Sequence, residues 1–147
     1  MQQRRYTLLV VDDEQQMRST LESYFSKRNF LVQTAQDGEE AWQKVQAQEF
    51  DVAIVDIRMP RLDGIELAQR IRKDGYDTSI IIITGHGDRD EAIKALNIGV
   101  DRWVDKSSLD MGELHEIAVQ LAEGVSLDQV KRILSVLPKS LKDMDRD

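Results

Sequence analysis

Asp12 and Asp13 stand directly behind the apolar run 8–11, Asp56 behind 52–55 and Thr84 behind 80–83, while Lys106 falls two residues past Val104. An apolar run of about four to eight residues bounded by turn signals is the pattern of a buried parallel strand. In a parallel sheet all carboxyl ends point the same way, and open α/β sheets bind their ligands there. These polar residues, far apart in sequence, therefore converge on one rim. Three carboxylates crowded together repel: two unit charges about 4 Å apart cost on the order of 4 kcal/mol at a dielectric near 20. A hard divalent cation relieves that repulsion, and Mg²⁺ needs only one or two carboxylates, with waters completing its octahedron. The same cation neutralises a phosphoryl group brought in as substrate. Lys106 suits a phosphoryl oxygen as a point charge, and the Thr84 hydroxyl can donate to another. An aspartate in that setting is a nucleophile able to form an aspartyl-phosphate. Taken singly, each residue has an ordinary reading: Asp13 as a helix cap, Asp12 as a strand-end carboxylate, Thr84 as a turn residue, Lys106 as solvated surface. As a set, they point to chemistry.

The elements that position them alternate along the chain. Strands are expected over 6–11, 30–34, 52–56, 79–83 and 102–104, the first dense in β-branched and aromatic residues. Asp13 with Gln16 has capping-box spacing, and Met17, Leu21, Tyr24 and Phe25 follow at helical spacing. Asp37 with Glu40 repeats the box before Gly38, Ala41, Trp42 and Val45. Asp63-Gly64 opens a third helix with Leu67, Ala68 and Ile71 inside. Asp88 with Glu91 caps a fourth around Ala92, Ile93 and Leu96, and Asp110 with Glu113 starts a fifth with Leu114, Ile117, Ala118 and Leu121 on one face. Strand and helix in alternation mean a doubly wound α/β sandwich joined by right-handed crossovers. The strand order 2-1-3-4-5 suits this size and opens its crevice between the first and third strands.

Composition narrows the rest. The chain has 147 residues, enough for one domain with a real core, and 41% hydrophobic and 32% charged residues describe an ordinary globular protein. No apolar run approaches the roughly 20 residues of a membrane helix, and no signal-peptide core follows Met1-Gln2-Gln3-Arg4-Arg5. With no cysteine, disulfides and thiolate metal sites are excluded, and a reducing cytoplasm fits. A net charge of −7 argues against direct nucleic-acid binding. Trp42 reads as core, His115 as solvent-facing, and Arg70-Ile71-Arg72-Lys73 as a solvated face open to an acidic partner.

From residue 7 to residue 123 the chain resembles the receiver domains of bacterial two-component response regulators. The resemblance is carried by Val10-Val11-Asp12-Asp13-Glu14, by Asp56-Ile57-Arg58-Met59-Pro60 with Asp63-Gly64 behind it, by Thr84-Gly85, and by Lys106 after Trp103-Val104-Asp105. It implies a flavodoxin-like fold and a phosphoacceptor at Asp56, charged by a sensor histidine kinase, a phosphotransfer protein or a small donor such as acetyl phosphate. It implies that Asp13, Asp56 and the main-chain carbonyl of Arg58 bind Mg²⁺ directly and that Asp12 acts largely through water. Thr84 and Lys106 would serve the phosphoryl group, and Trp103 would hold the place of a switch aromatic that turns inward when Thr84 moves. The family has no dedicated catalytic output; it catalyses its own phosphotransfer and slow dephosphorylation. Arg58 and His86 would flank the approach of water.

One departure matters. The family usually has proline after the lysine, in a cis peptide that helps aim it; here Ser107 follows. A cis bond before a non-proline residue costs about 2.5–4 kcal/mol, so a trans Lys106–Ser107 peptide is expected. Gly85 and Gly87 are expected to leave the loop before the fourth helix mobile.

Residues 1–124 are thus expected to form the receiver and 125–147 an extension. Within it, a helix over about 126–137 has a capping box from Ser126 to Gln129 and a staple of Val125 and Val130. Leu127, Val130, Leu134 and Leu137 share heptad-like spacing before Pro138, and a disordered tail follows. Packing back on the domain, pairing with a second copy, and linking to an output domain are all open to that helix. No helix-turn-helix pattern follows it.

Other chemistries fit less well. A flavin-type binder needs a phosphate-cradling loop after the first strand, where Asp12-Asp13-Glu14 repels phosphate. An aspartate-dependent phosphatase wants an acid at position 58, which is Arg. The alternative that remains is a receiver-like interaction module independent of phosphorylation. The leading expectation is a phospho-switch that displays the face of the fourth helix, fifth strand and fifth helix to a partner protein, output domain or second copy.

Overall fold

A computed structural model describes residues 5–85 and 89–124, together with Ser135. His86, Gly87, Asp88 and, but for Ser135, the expected helix at about 126–137 lie outside the described residues. Strands β1 (Tyr6–Val11), β2 (Phe30–Ala35), β3 (Val52–Asp56), β4 (Ser79–Thr84) and β5 (Arg102–Asp105) alternate with helices α1 (Gln15–Ser26), α2 (Gly38–Ala47), α3 (Gly64–Lys73), α4 (Arg89–Asn97) and α5 (Met111–Glu123). A short 3₁₀ turn, Lys106–Ser108, joins β5 to α5. The strands form one parallel sheet in the order β2-β1-β3-β4-β5, as expected from the sequence.

Every residue of β3 is buried, which is why its sequence shows a continuous apolar run and no alternation. Its side chains go alternately to two cores. Ala53 and Val55 join Leu9, Val11, Ile80 and Ile82 under α2, α3 and α4. Val52 and Ile54 join Leu8, Val10, Ile81 and Ile83 under α1 and α5. Asp37, Asp63 and Asp110 cap α2, α3 and α5 by accepting the backbone N–H three residues on.

Four expectations about individual residues are corrected. Asp13 is not the cap of α1; the helix begins at Gln15, and Asp12 Oδ1 accepts the N–H of Glu14 at 2.9 Å. Asp12 thus satisfies the turn locally and leaves the Asp13 carboxylate exposed. In α4 the fully buried residue is Ala95, while Ile93 and Leu96 are 47% and 60% exposed. His115 does not face solvent: it is half-buried against Tyr24, Phe25 and Phe30. Trp42 is half-buried, packed edge-on against Tyr76 at the margin of the core.

Arg72 is a clamp, not part of a solvated face. It donates to the carbonyls of Gly99 (3.0 Å), Tyr76 (3.0 Å) and Thr78 (2.8 Å), and pairs with Asp101 at 3.1 Å. Asp101 Oδ2 also accepts the Ile80 N–H at 2.8 Å, so one ion pair ties the end of α3 to the starts of β4 and β5. Replacing Arg72 with alanine leaves three carbonyls without this donor and should cost about 2–3 kcal/mol, measurable by urea unfolding.

Candidate functional site

Register brings the strand ends together. Val11 pairs with Val55, Asp56 with Ile83 and Thr84 with Asp105, so Asp12, Asp56, Thr84 and Lys106 step along one rim of the sheet. Asp12, Asp56 and Thr84 are buried there. Asp12 and Asp13 leave β1 in a loop braced from beneath by Arg18, whose guanidinium donates to the Asp12 carbonyl at 2.7 Å. Asp56 ends β3, and the tight path after it depends on Gly64, whose N–H donates to the Ile57 carbonyl at 2.9 Å.

Carboxylate oxygens of Asp12, Asp13, Glu14 and Asp56 all lie within 4.8 Å of one another. Glu14 was not singled out as a site residue in the sequence; its signal was being the third acid in Asp12-Asp13-Glu14. The Lys106 ammonium sits among these acids, 2.9 Å from Asp12 Oδ2, 3.2 Å from Asp56 Oδ2 and 3.5 Å from Glu14 Oε1. Asp12 Oδ2 is buried, with the Lys106 ammonium as its ion-pair partner.

Burial, and then the neighbouring Asp12 charge, raise the Asp56 pKa above the ordinary 3.8, against opposing contributions from Lys106 and the Arg58 N–H. Burial disfavours the Lys106 charge, but its contacts with Asp12 and Asp56 outweigh that and raise its pKa above 10.5. The lysine is held as a cation where negative charge is concentrated.

Mg²⁺ suits this donor set. Its ligands are hard oxygens, and four acids here each bring a carboxylate oxygen within 4.8 Å of the others. The Arg58 side chain reaches outward to Glu91 of α4 at 3.8 Å. Trp103 is half-buried on the α4 side of the sheet, beside Ile82 in register. Among the described residues no peptide bond is cis, so Lys106–Ser107 is trans.

The family model of the response regulator receiver domain matches residues 8–119. The chain belongs to the response regulator receiver family. Phosphorylation and Mg²⁺ binding are characteristic of this family. The receiver is 44% identical over 99 residues to a probable transcriptional regulator, ycf27, of Guillardia theta, a match spanning 67% of this chain and 39% of that protein. The match to the response regulator MprA of Mycolicibacterium vanbaalenii is 34% identical and spans 67% of this chain and 43% of the relative. The receiver therefore spans less than half the length of these curated relatives. Among solved structures it superposes on the response regulator TrrA of Thermotoga maritima, determined in complex with Mg²⁺ and BeF, with a TM-score of 0.71 and 34% identity, over 79% of this chain and 98% of that one. No helix among the described residues is long and apolar enough to cross a membrane.

Proposed function

We propose that this receiver is a phosphorylation-dependent switch in which Asp56 accepts a phosphoryl group from the phosphohistidine of a sensor kinase or phosphotransfer protein. One observation carries the reading: the ends of β5 and β3 place the Lys106 cation 3.2 Å from the buried Asp56. In the transfer, an Asp56 carboxylate oxygen forms a bond to phosphorus as the phosphorus–nitrogen bond breaks, and the departing imidazole takes up a proton. Lys106 exchanges its contact with Asp56 for one with a phosphoryl oxygen, and the Thr84 hydroxyl donates to another. Asp13, Asp56 and the Arg58 carbonyl, with Asp12 through water, would hold Mg²⁺, which supplies counter-charge to the phosphoryl oxygens. Slow hydrolysis of the aspartyl-phosphate by water resets the switch.

The readout in this proposal is the face of α4, β5 and α5, through Thr84 and Trp103. The exposed Ile93 and Leu96 support it, because two large apolar side chains on one short helix suit a partner protein, output domain or second copy. Residues 1–124 form the switch in this reading, and 125–147 an extension. The net charge of −7 supports a signalling role without direct nucleic-acid contact, and the absence of cysteine supports work in the cytoplasm.

Intact-protein mass after incubation with acetyl phosphate tests the proposal. A single phosphoryl gain in wild type that needs Mg²⁺ and disappears in Asp56→Asn is expected. No gain from either acetyl phosphate or a phosphorylated histidine-kinase domain would leave the receiver as a phosphorylation-independent interaction module.

A further inference from the structure

We propose that Asp105 and Ser107 are positioning residues that aim Lys106 at Asp56, doing with a side-chain cap what no proline is present to do. The inference rests on Asp56 being the phosphoacceptor. Lys106 is the first residue past β5, and a lysine's flexible four-carbon stem delivers its ammonium to one spot only if the backbone beneath it is held. Here the hold comes from both neighbours. Asp105 Oδ1 accepts the Ser107 backbone N–H at 2.9 Å and the Ser107 hydroxyl at 2.8 Å, bridging across Lys106. Asp105 is itself locked to β4 opposite Thr84, and the turn closes with the Leu109 N–H on the Lys106 carbonyl at 3.3 Å. The backbone N–H that Asp105 captures is one that proline lacks. The cap also suits the trans Lys106–Ser107 peptide. Ser107 and Ser108 are exposed, so the cap serves the direction of Lys106 more than the stability of the domain.

The test compares wild type, Asp105→Ala, Asp105→Asn and Ser107→Ala for the rate of phosphoryl gain from acetyl phosphate, for Mg²⁺ affinity and for melting temperature. Asp105→Ala should slow the gain about tenfold, less than the full cost of a displaced reacting group. Its Mg²⁺ dissociation constant should stay within about twofold, because the metal-binding carboxylates are untouched. Asp105→Asn keeps an acceptor oxygen for both donors and should recover most of the rate. Ser107→Ala loses only the hydroxyl bond and should fall between. A wild-type rate in Asp105→Ala overturns the proposal, as does an equal loss in Asp105→Ala and Asp105→Asn. If Asp105→Ala does not fold, Ser107→Ala decides, and an undiminished rate there overturns it. Failure of wild type itself to gain phosphate from both acetyl phosphate and a phosphorylated histidine-kinase domain overturns the phosphoacceptor reading and the positioning role together.

Discussion

Lys106→Met is expected to slow phosphoryl acceptance at Asp56 by about a hundredfold or more, the usual cost of losing one fixed group that stabilises developing charge. Methionine keeps most of the lysine's apolar stem and removes the ammonium. No other cation among the described residues is recorded within ion-pair distance of Asp56. The same substitution acts on stability. Asp12 and Asp56 are buried side by side, and Lys106 is their common counter-charge. Removing one partner of such a buried group costs about 3–5 kcal/mol, part of it recoverable by protonating a carboxylate.

The direction with pH follows from Asp56. Its folded pKa lies above the ordinary 3.8, so its favourable contribution is complete below 3.8 and disappears as pH rises through the folded value. Lys106 lowers that folded value, so Lys106→Met should push the Asp56 titration further upward. The variant should therefore lose most stability at neutral and alkaline pH in EDTA, and regain more than wild type when Mg²⁺ is added. Urea unfolding across pH, with the Asp56 carboxyl carbon followed by NMR, measures both effects. An unmoved Asp56 titration would refute the electrostatic coupling, and an unslowed transfer would remove Lys106 from the chemistry.

Gly64→Ala should both destabilise the domain and disable the site. A Cβ on Gly64 would lie 2.3 Å from the Asp56 carbonyl oxygen and 2.9 Å from Ile57 Cα, and both are backbone atoms that cannot rotate away. Forcing one extra carbon into a packed site costs about 1–3 kcal/mol, and this contact belongs at the upper end. The strain falls on the peptide that carries Asp56, the proposed nucleophile. A displacement on the order of 1 Å there is enough to slow transfer about a hundredfold. Gly38→Ala is the informative comparison: its Cβ would meet the Leu62 carbonyl at 2.2 Å, away from Asp56. It should unfold at similarly low urea but transfer phosphate faster than Gly64→Ala. Gly75→Ala has open space and only an unfavourable φ of +82°, so it should cost about 1 kcal/mol and leave transfer unchanged. Equal transfer rates in the Gly64 and Gly38 variants would show that the Asp56 peptide absorbs no strain.

Much of this architecture was legible before any coordinates. A fully buried parallel strand is apolar along its length, and each of the three side-chain-capped α-helices shows an aspartate three residues before the N–H that it accepts. Both signals are local, so the element order, Asp56 at the end of β3, and the caps at Asp37, Asp63 and Asp110 could be read from neighbouring residues alone. The convergence of Asp12, Asp56, Thr84 and Lys106 followed from parallel topology, since every strand delivers its last residue to the same rim.

Contacts between elements were a different matter. Whether Asp13 caps α1 depended on which of two adjacent aspartates turned back to the backbone, and Asp12 did. Nothing next to Glu14 in sequence announces its partner, because Lys106, 3.5 Å away, comes from the end of β5. Arg72 looked solvated because its partners at Tyr76, Thr78, Gly99 and Asp101 are mostly main-chain carbonyls, which leave no trace in side-chain pattern. In α4, alanine takes the buried place while Ile93 and Leu96 face outward, so hydrophobicity alone assigned the wrong stripe. Periodicity reports a residue's relation to its own helix or strand; only packing decides which distant backbone or charge it meets.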